Sequence, residues 1–313
     1  MNTVRRKPKS ANGFSIVELM IVITLGLMIT AVIGSIFISG NKNYNQDDRY
    51  ARMQENGRFA MNLVAQDLSM AGFWGYLTEN TSSVAILGAD NCGIVLNITS
   101  PVGLVNSPTA TAANTAHSCI SASTFVANTD VLTVKRVKGS PVTSLSTSKA
   151  YLIVDGTAGN LSSGISTYDS TKNYWLYQPH IYYIANKTIS SGTTVPTLYR
   201  KYLVATSGSF DYEELIEGIE NIQVQFGIDS DATADGVPNY FTSSPSSTEL
   251  AKAYVARISI LARTLTPDPD TSYQNTSTYD LGEGAIPQFN DRYQRVVFTS
   301  TVALRNLNYT ARR

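Results

Sequence analysis

The hydrophobic positions near the amino terminus form one run, residues 14–38, that contains a single charged residue, Glu18. At about 1.5 Å per residue, a helix of this length crosses a hydrocarbon core of about 30 Å. The residues before the run include no acidic side chain and four basic ones, a distribution that holds them on the cytoplasmic side of a membrane. These basic residues are Arg5, Arg6, Lys7 and Lys9. The pattern therefore predicts a membrane anchor.

Beyond the anchor, apolar and small residues recur at three- and four-residue steps, which is the spacing of an amphipathic helix. No proline occurs between Lys9 and Ser100, so the helix can continue past the membrane. The expected apolar face consists of Tyr50, Met53, Gly57, Ala60, Val64, Leu68 and Ala71, and the polar residues expected mostly on other faces are Asp47, Arg49, Arg52, Glu55, Arg58, Asn62 and Asp67. Residues 39–75 are therefore predicted to form an amphipathic half of the same helix, with Gly72 and Gly75 as stop signals.

The rest of the chain, residues 76–313, contains the alternating pattern of β-strands. Ile222, Val224, Phe226 and Ile228 alternate with Gln and Gly, which indicates a strand with one buried face. Further strands are expected at 93–98, 130–137, 174–185, 198–205, 254–263 and 295–307, and exposed loops at 107–118 and 264–290. Strands that follow one dominant helix predict an α+β fold with an antiparallel sheet as its head.

Glu18 is the unusual residue of the apolar run. An ionised carboxylate in a lipid-facing helix costs a few kcal/mol, so such a residue usually has a partner and a task; a glutamate that snorkels to the interface is the alternative. An ordinary secretory signal would have a shorter apolar region that ends in a small-residue cleavage site. Here Gly13, Phe14 and Glu18 stand at the head of a long helix behind a basic leader, and this arrangement resembles the processing signal of type IV pilins and pseudopilins.

This resemblance implies a maturation step and a role for the glutamate. In that family a prepilin peptidase cuts after the glycine, here Gly13, and methylates the new amino group, here that of Phe14. Residues 1–13 would then be the leader, and residues 14–38 the transmembrane half of the helix. In that family the glutamate, here Glu18, faces the positive amino terminus of a neighbouring subunit. Two opposite charges in an apolar bundle are tolerable only together, so the pair would favour one axial register.

Several later stretches are similar to minor pilins of the PilW type. They are residues 54–60, 67–68, 71–73, 215–227, 229–231, 235–238, 256–263 and 295–306. The resemblance implies an α+β, pilin-like fold whose partners are other minor pilins, the major pilin, the prepilin peptidase, the inner membrane and the pilus assembly platform. It also implies a single-pass inner-membrane protein with its head in the periplasm, which later becomes part of the extracellular pilus.

Charge and composition give no reason to propose nucleic acid as a partner. The chain balances 24 basic against 24 acidic residues, and removal of the four basic leader residues would leave 20 against 24. The mature protein would thus be mildly acidic, unlike a nucleic-acid-binding protein. About 240 residues remain beyond the helix, enough for one large or two small cores. The low charge and the 18 tyrosines are typical of an exported, β-rich surface.

The two cysteines, Cys92 and Cys119, both lie in the part that would face the oxidising periplasm. We therefore expect a disulfide between them. The alternatives are free thiols and metal binding, for which no other cysteine supplies a second ligand pair. Asp229, Asp231 and Asp235 could supply oxygen ligands to Ca²⁺, but their spacing departs from that of a calcium-binding loop, and a polar hairpin turn explains the same residues. No metal site is predicted.

The sequence contains few features that would indicate an enzyme. An S-x-x-K match from Ser146 to Lys149 lies in a serine-rich loop, where chance would produce it. The two histidines, His117 and His180, are expected to be surface or packing residues. No cofactor and no catalytic activity are therefore expected.

The prediction is a noncatalytic minor pilin that takes part in type IV pilus assembly. A head of this size suits a tip or initiating position better than a densely repeated one, and twitching motility, adhesion and DNA uptake are the associated roles. A minor pseudopilin of a type II secretion system has the same anchor and is the nearest alternative. A membrane-anchored surface adhesin is the alternative from another class of protein.

Overall fold

The computed structural model describes residues 13, 15–77, 92–96, 98, 100–156, 158–189, 192–204, 208–231, 233 and 235–307. The chain divides into two compact units, one up to Asp48 and one from Arg49 onwards, and the division falls inside the first helix. Phe14 and residues 1–12 of the expected leader lie outside the described residues.

The first helix, α1, runs without interruption from Ile16 to Ser69. It ends before residue 75, the boundary expected from the sequence. The chain turns away at Gly72, whose φ of 75° lies in the left-handed region that favours glycine. The amide of Gly72 donates a hydrogen bond to the carbonyl of Lys135 at 3.1 Å, which ties the end of the helix to the sheet.

The second unit buries one face of α1. The buried positions are Met53, Gly57, Ala60, Met61, Val64, Asp67 and Leu68. Most of the predicted apolar face is thus confirmed, with two corrections. Tyr50 is 40% exposed, whereas Asp67, predicted on the polar side, is only 4% exposed. Asp67 follows Ala60 by seven residues and Val64 by three, so helical spacing places it on the buried face.

The larger sheet is antiparallel and has seven strands, with β5 at its centre. The strands are β1 (Val102–Val105), β2 (Val131–Val137), β3 (Ala150–Asp155), β4 (Ala158–Ser163), β5 (Asn173–Thr188), β6 (Thr194–Val204) and β7 (Ser209–Glu217). Their main order is β1-β2-β5-β3-β4, and β6 and β7 extend from β5.

The two edges of β5 are used differently. β2 pairs with residues 177–182 of β5 and β6 with residues 180–188, so these two strands occupy opposite edges. The chain after β2 continues along its edge, where the amide of Lys138 donates to the carbonyl of Leu176. β3 pairs with residues 173–176 and therefore shares the second edge with β6. The sheet thus forks where β3 and β6 leave β5.

The smaller sheet is also antiparallel, with the order β13-β10-β8-β9. Its strands are β8 (Ile219–Ile228), β9 (Tyr240–Thr242), β10 (Ala253–Arg263) and β13 (Arg295–Ala303). A separate hairpin joins β11 (Tyr279–Asp280) to β12 (Ala285–Ile286), and two short helices, α2 (Ala110–Ala116) and α3 (Ser247–Leu250), lie in the connections. These elements confirm the predicted α+β fold with one long helix and an antiparallel head.

The buried face of α1 packs into a core that includes residues of both sheets, among them Ile184 and Phe226. The approach is close at Gly57, where a Cβ atom would lie 2.1 Å from the Phe298 ring. A larger residue at this point of the helix would have to displace the Phe298 ring.

A second core lies under the other part of the large sheet and includes aromatic residues that meet the end of α1. Trp74 stacks on Tyr177 with ring centroids 6.2 Å apart, and Phe73 meets the edge of Trp175 at 5.7 Å. The aromatic contacts fix the chain where it leaves the helix.

The predicted strands at 130–137, 174–185, 198–205, 254–263 and 295–307 are confirmed, with shifted bounds. Three other expectations are wrong. Among the described residues of 93–98 there is no strand. The expected loop at 107–118 contains α2, which begins because the side chain of Thr109 accepts a hydrogen bond from the amide of Ala112. The loop at 264–290 contains the β11-β12 hairpin and buries Leu281.

Candidate functional site

The apolar half of α1 is exposed along its length. The large apolar residues of the segment 16–38 are all at least 52% exposed. Among the described residues, α1 is the one helix long and apolar enough to cross a membrane. The hydroxyl groups of Thr24, Thr30 and Ser35 bond within the helix, as when the Thr24 hydroxyl donates to the Met20 carbonyl at 3.0 Å. Internal hydrogen bonding of this kind is what a hydrocarbon environment requires.

Glu18 lies in the first turn of α1, where a negative charge is favoured by the helix dipole. Its side chain is exposed and has no partner among the described residues. Gly13 is exposed as well, and a Cβ atom there would meet nothing within 4 Å. Phe14, the other half of the expected cleavage site, lies outside the described residues. The predicted processing and docking roles of these residues stay predictions.

A buried polar network joins the second half of α1 to the large sheet. Oδ2 of Asp67 accepts hydrogen bonds from His180 Nδ1 at 2.8 Å and from the Tyr182 hydroxyl at 2.9 Å. Its other oxygen is ion-paired with Arg136 of β2. Arg136 also donates to the side-chain oxygen of Gln178 at 2.7 Å. One carboxylate thus holds the helix to β2 and β5 at the same time.

The network keeps Asp67 ionised. Burial alone would raise the pKa of its carboxyl, but the hydrogen bond and charge of His180, together with the Arg136 guanidinium, outweigh it and lower the pKa to about 2. Loss of one partner would leave a buried charge uncompensated, which is strongly destabilising.

Both histidines are buried. Of the two positions expected for them, the packing position is therefore confirmed and the surface position is wrong. His117 Nδ1 lies 2.9 Å from the carbonyl oxygen of Cys92, which can only accept, so this nitrogen carries the proton. Burial lowers the pKa of His117 and favours the neutral ring.

Cys92 and Cys119 form a disulfide, which confirms the predicted pair. Their Cα atoms are 5.0 Å apart, and the bond closes a loop with a sequence separation of 27. The sulfur of Cys92 lies in the second core, so the bond fastens the segment after residue 91 to the chain that follows α2.

The structure brings Asp229, Asp231 and Asp235 together, with one side-chain oxygen of each within 4.8 Å of the others. The loop already uses these oxygens. Asp229 accepts from the amides of Asp231 and Gly236 at 3.1 and 2.9 Å, and Asp235 accepts from the amide of Val237 at 2.8 Å. Such bonds are typical of a polar turn. That the loop is a turn and not a metal site stays a prediction.

The Asp67 network is not predicted by the sequence. The signal that was present is the helical spacing of Asp67 with Ala60 and Val64, which places a charged residue on an apolar face. The partner could not be found from the sequence, because His180 is 113 residues away.

The later part of the chain is similar to one known protein family. Residues 181–306 match the family model described as type IV pilus-assembly protein W, or PilW. The matched segment begins in β5 and extends past β13, so it covers the smaller sheet and part of the larger one. No curated protein and no solved structure matches the chain. Residues 181–306 are thus similar to the PilW family of type IV pilus-assembly proteins, and the match covers less than half of the chain.

Proposed function

We propose that this protein is a minor pilin that takes part in pilus assembly within the initiating or tip complex. The observation that carries the proposal is the apolar half of α1, which is exposed along its length and interrupted by one charge, Glu18. A helix of this kind needs lipid before assembly and other helices afterwards. The PilW match of the head supports a pilus over a secretion system.

The route to the pilus follows from the leader and the anchor. The basic leader holds the amino terminus in the cytoplasm, α1 spans the inner membrane, and the head folds in the periplasm. The prepilin peptidase cuts after Gly13 and methylates Phe14. The mature helix then leaves the membrane for the pilus, where the partners are other minor pilins and the major pilin. The role is structural and noncatalytic.

Glu18 sets the docking position of the helix. Helix packing in lipid gains little from apolar contact alone, because lipid tails are as apolar as leucine. A carboxylate with no partner in its own chain can instead pair with the positive amino terminus of the adjacent subunit. Such a pair rewards one axial register and penalises the others.

The proposal is tested by Glu18→Ala, with the processed protein held at the wild-type level. Export and cleavage after Gly13 should be unchanged. Surface pili should fall several-fold, and co-purification with other pilins should be lost, because the docking charge is missing. Glu18→Gln, which keeps the shape without the charge, should be intermediate or nearly as poor. Glu55→Ala serves as the matched control, since Glu55 is an exposed acid on the same helix.

Normal piliation and normal co-purification in Glu18→Ala would show that the carboxylate does not dock a neighbour. The snorkelling alternative would then be preferred. Loss of type II secretion with intact pili, on deletion of the protein, would assign it to a secretion system.

A further inference from the structure

A polar cavity of about 460 Å³ lies at the fork of the large sheet. On this edge of β5, the pairing with β3 ends at Leu176 and the pairing with β6 starts at His180. Residues 177–179 of β5 therefore separate the two neighbouring strands. One wall is formed by residues 148–150 at the start of β3, and the other by residues 202–204 at the end of β6. We call this cavity the fork pocket. Its volume is within the range of about 300–1,000 Å³ typical of small-molecule sites.

The strand register explains why charged side chains meet in the fork pocket. Arg200 of β6 lies between Tyr182 of β5 and Glu213 of β7, and all three are on the same face of the sheet. In the next row His180 pairs with Tyr202. Arg200, Glu213, His180 and Tyr202 all line the pocket, because side chains two residues apart on a strand share a face.

The balance of charge in the fork pocket favours an anion. Glu213 is the one acidic residue among the described residues that line it, and it is ion-paired with Arg200. Lys149, on the opposite wall, is exposed, and its ammonium group has no partner among the described residues. Lys149 is therefore a cation that the pocket itself does not neutralise.

His180 supplies a fixed polar group in the same pocket. Its ring is buried and held by the hydrogen bond from Nδ1 to Asp67. The other ring nitrogen has no hydrogen-bond partner among the described residues. The negative charge of Asp67, which is bonded to this ring, is compensated by Arg136. It therefore does not disfavour the binding of an anion in the pocket. A ring fixed in this way is preorganised to contact a ligand.

We propose that the fork pocket binds an acidic sugar, with the carboxylate near Lys149 and Arg200. Charge-assisted hydrogen bonds from ammonium and guanidinium groups are the strongest contacts to a carboxylate. The pocket also offers Leu203 and Tyr202, on which the apolar face of a sugar ring can pack, and Ser148 and Gln178, which can bond its hydroxyl groups.

The test uses the full chain in detergent micelles and titration calorimetry with glucuronate, glucose and inorganic phosphate. Glucuronate should bind saturably with one site. Glucose lacks the charge and phosphate lacks the ring, so each should bind at least about tenfold more weakly. Lys149→Glu should lower the affinity for glucuronate by about tenfold or more, and Lys149→Ala by less. Lys138→Glu is the matched control, because Lys138 is also exposed but lies outside the pocket.

Equal affinity for phosphate and glucuronate would contradict recognition of a sugar ring and would show that the pocket binds any oxyanion. Equal affinity for glucose would overturn the role of charge. An unchanged glucuronate affinity in Lys149→Glu, or no saturable binding by the wild type, would overturn the site itself.

Discussion

At the residue scale, the bond between Gly13 and Phe14 is where we expect the chain to be cut. Gly13 is exposed and has open space around its α-carbon. A bulky side chain there should block the peptidase, because glycine lets an enzyme approach the backbone closely. Mass spectrometry of the membrane-extracted protein should therefore find methylated Phe14 at the amino terminus, and Gly13→Leu should retain Met1.

Wild-type protein that retains Met1, or that is cut beyond residue 38, would contradict the predicted processing. A conservative change inside the leader, Lys9→Arg, provides the control and should leave cleavage intact.

Asp67 ties α1 to the large sheet through His180, Tyr182 and Arg136. Its pKa of about 2 lies below the usual value of 3.8, so the folded state binds its proton less tightly than the unfolded state. The stabilisation is present above about pH 4 and is lost as the pH falls towards 2. Asp67→Asn should lower the free energy of unfolding at neutral pH by about 2 kcal/mol or more.

The measurement is chemical denaturation of the full chain in micelles between pH 7 and pH 2, followed by near-ultraviolet circular dichroism. Wild type should lose stability between about pH 4 and 2, and the variant should lose less over the same interval. Asp155→Asn is the control, since the side chain of Asp155 is 70% exposed. A variant as stable as wild type would show that the network contributes nothing to the fold.

At the element scale, the Cys92–Cys119 disulfide fastens the segment 92–98, whose described residues have no regular secondary structure, to the chain that follows α2. The chain-entropy model gives about 3 to 4 kcal/mol for a loop of this length. Replacing both cysteines by serine should lower the free energy of unfolding by about 3 kcal/mol. Alkylation of exported protein without reduction should label neither cysteine, and labelling of both would show that they are free thiols.

The acidic loop after β8 is expected to be stable without a metal ion. Backbone amides already occupy the oxygens of Asp229, and the side chain of Asn239 lies near Asp231. Added Ca²⁺ and added chelator should both leave the melting temperature of the protein unchanged. A rise of several degrees with Ca²⁺ but not with Mg²⁺ would mean that the three carboxylates bind the ion.

The strands that could be predicted are those whose own sequence alternates, such as β8 and β10. β4, with the sequence AGNLSS, carries no such pattern and exists because β3 pairs with it along its whole length. α2 was hidden because its threonines suggested a loop, although its alanines have the highest helix propensity. Pairing with β3 determines that β4 forms, and local capping determines that α2 forms. Neither effect can be read from the spacing of hydrophobic residues.

At the scale of the whole molecule, the anchor and the order of helix before sheet could be predicted. The apolar run and the helical spacing that follows it are both visible in the sequence. The fork pocket could not be. It exists because two strands share one edge of β5, and residues 149, 180 and 200 meet only after that pairing. The chemistry of the head therefore depends on topology, whereas that of the anchor depends on composition.

The aromatic contacts at the end of α1 also give the protein an optical signal. Its two tryptophans, Trp74 and Trp175, both lie at the point where the chain leaves the helix for the sheet. Trp175 is buried, and its indole N–H has no hydrogen-bond partner among the described residues. Intrinsic fluorescence therefore reports this one contact and not an average over the molecule. A shift of the emission to longer wavelength marks the entry of water at the end of the helix.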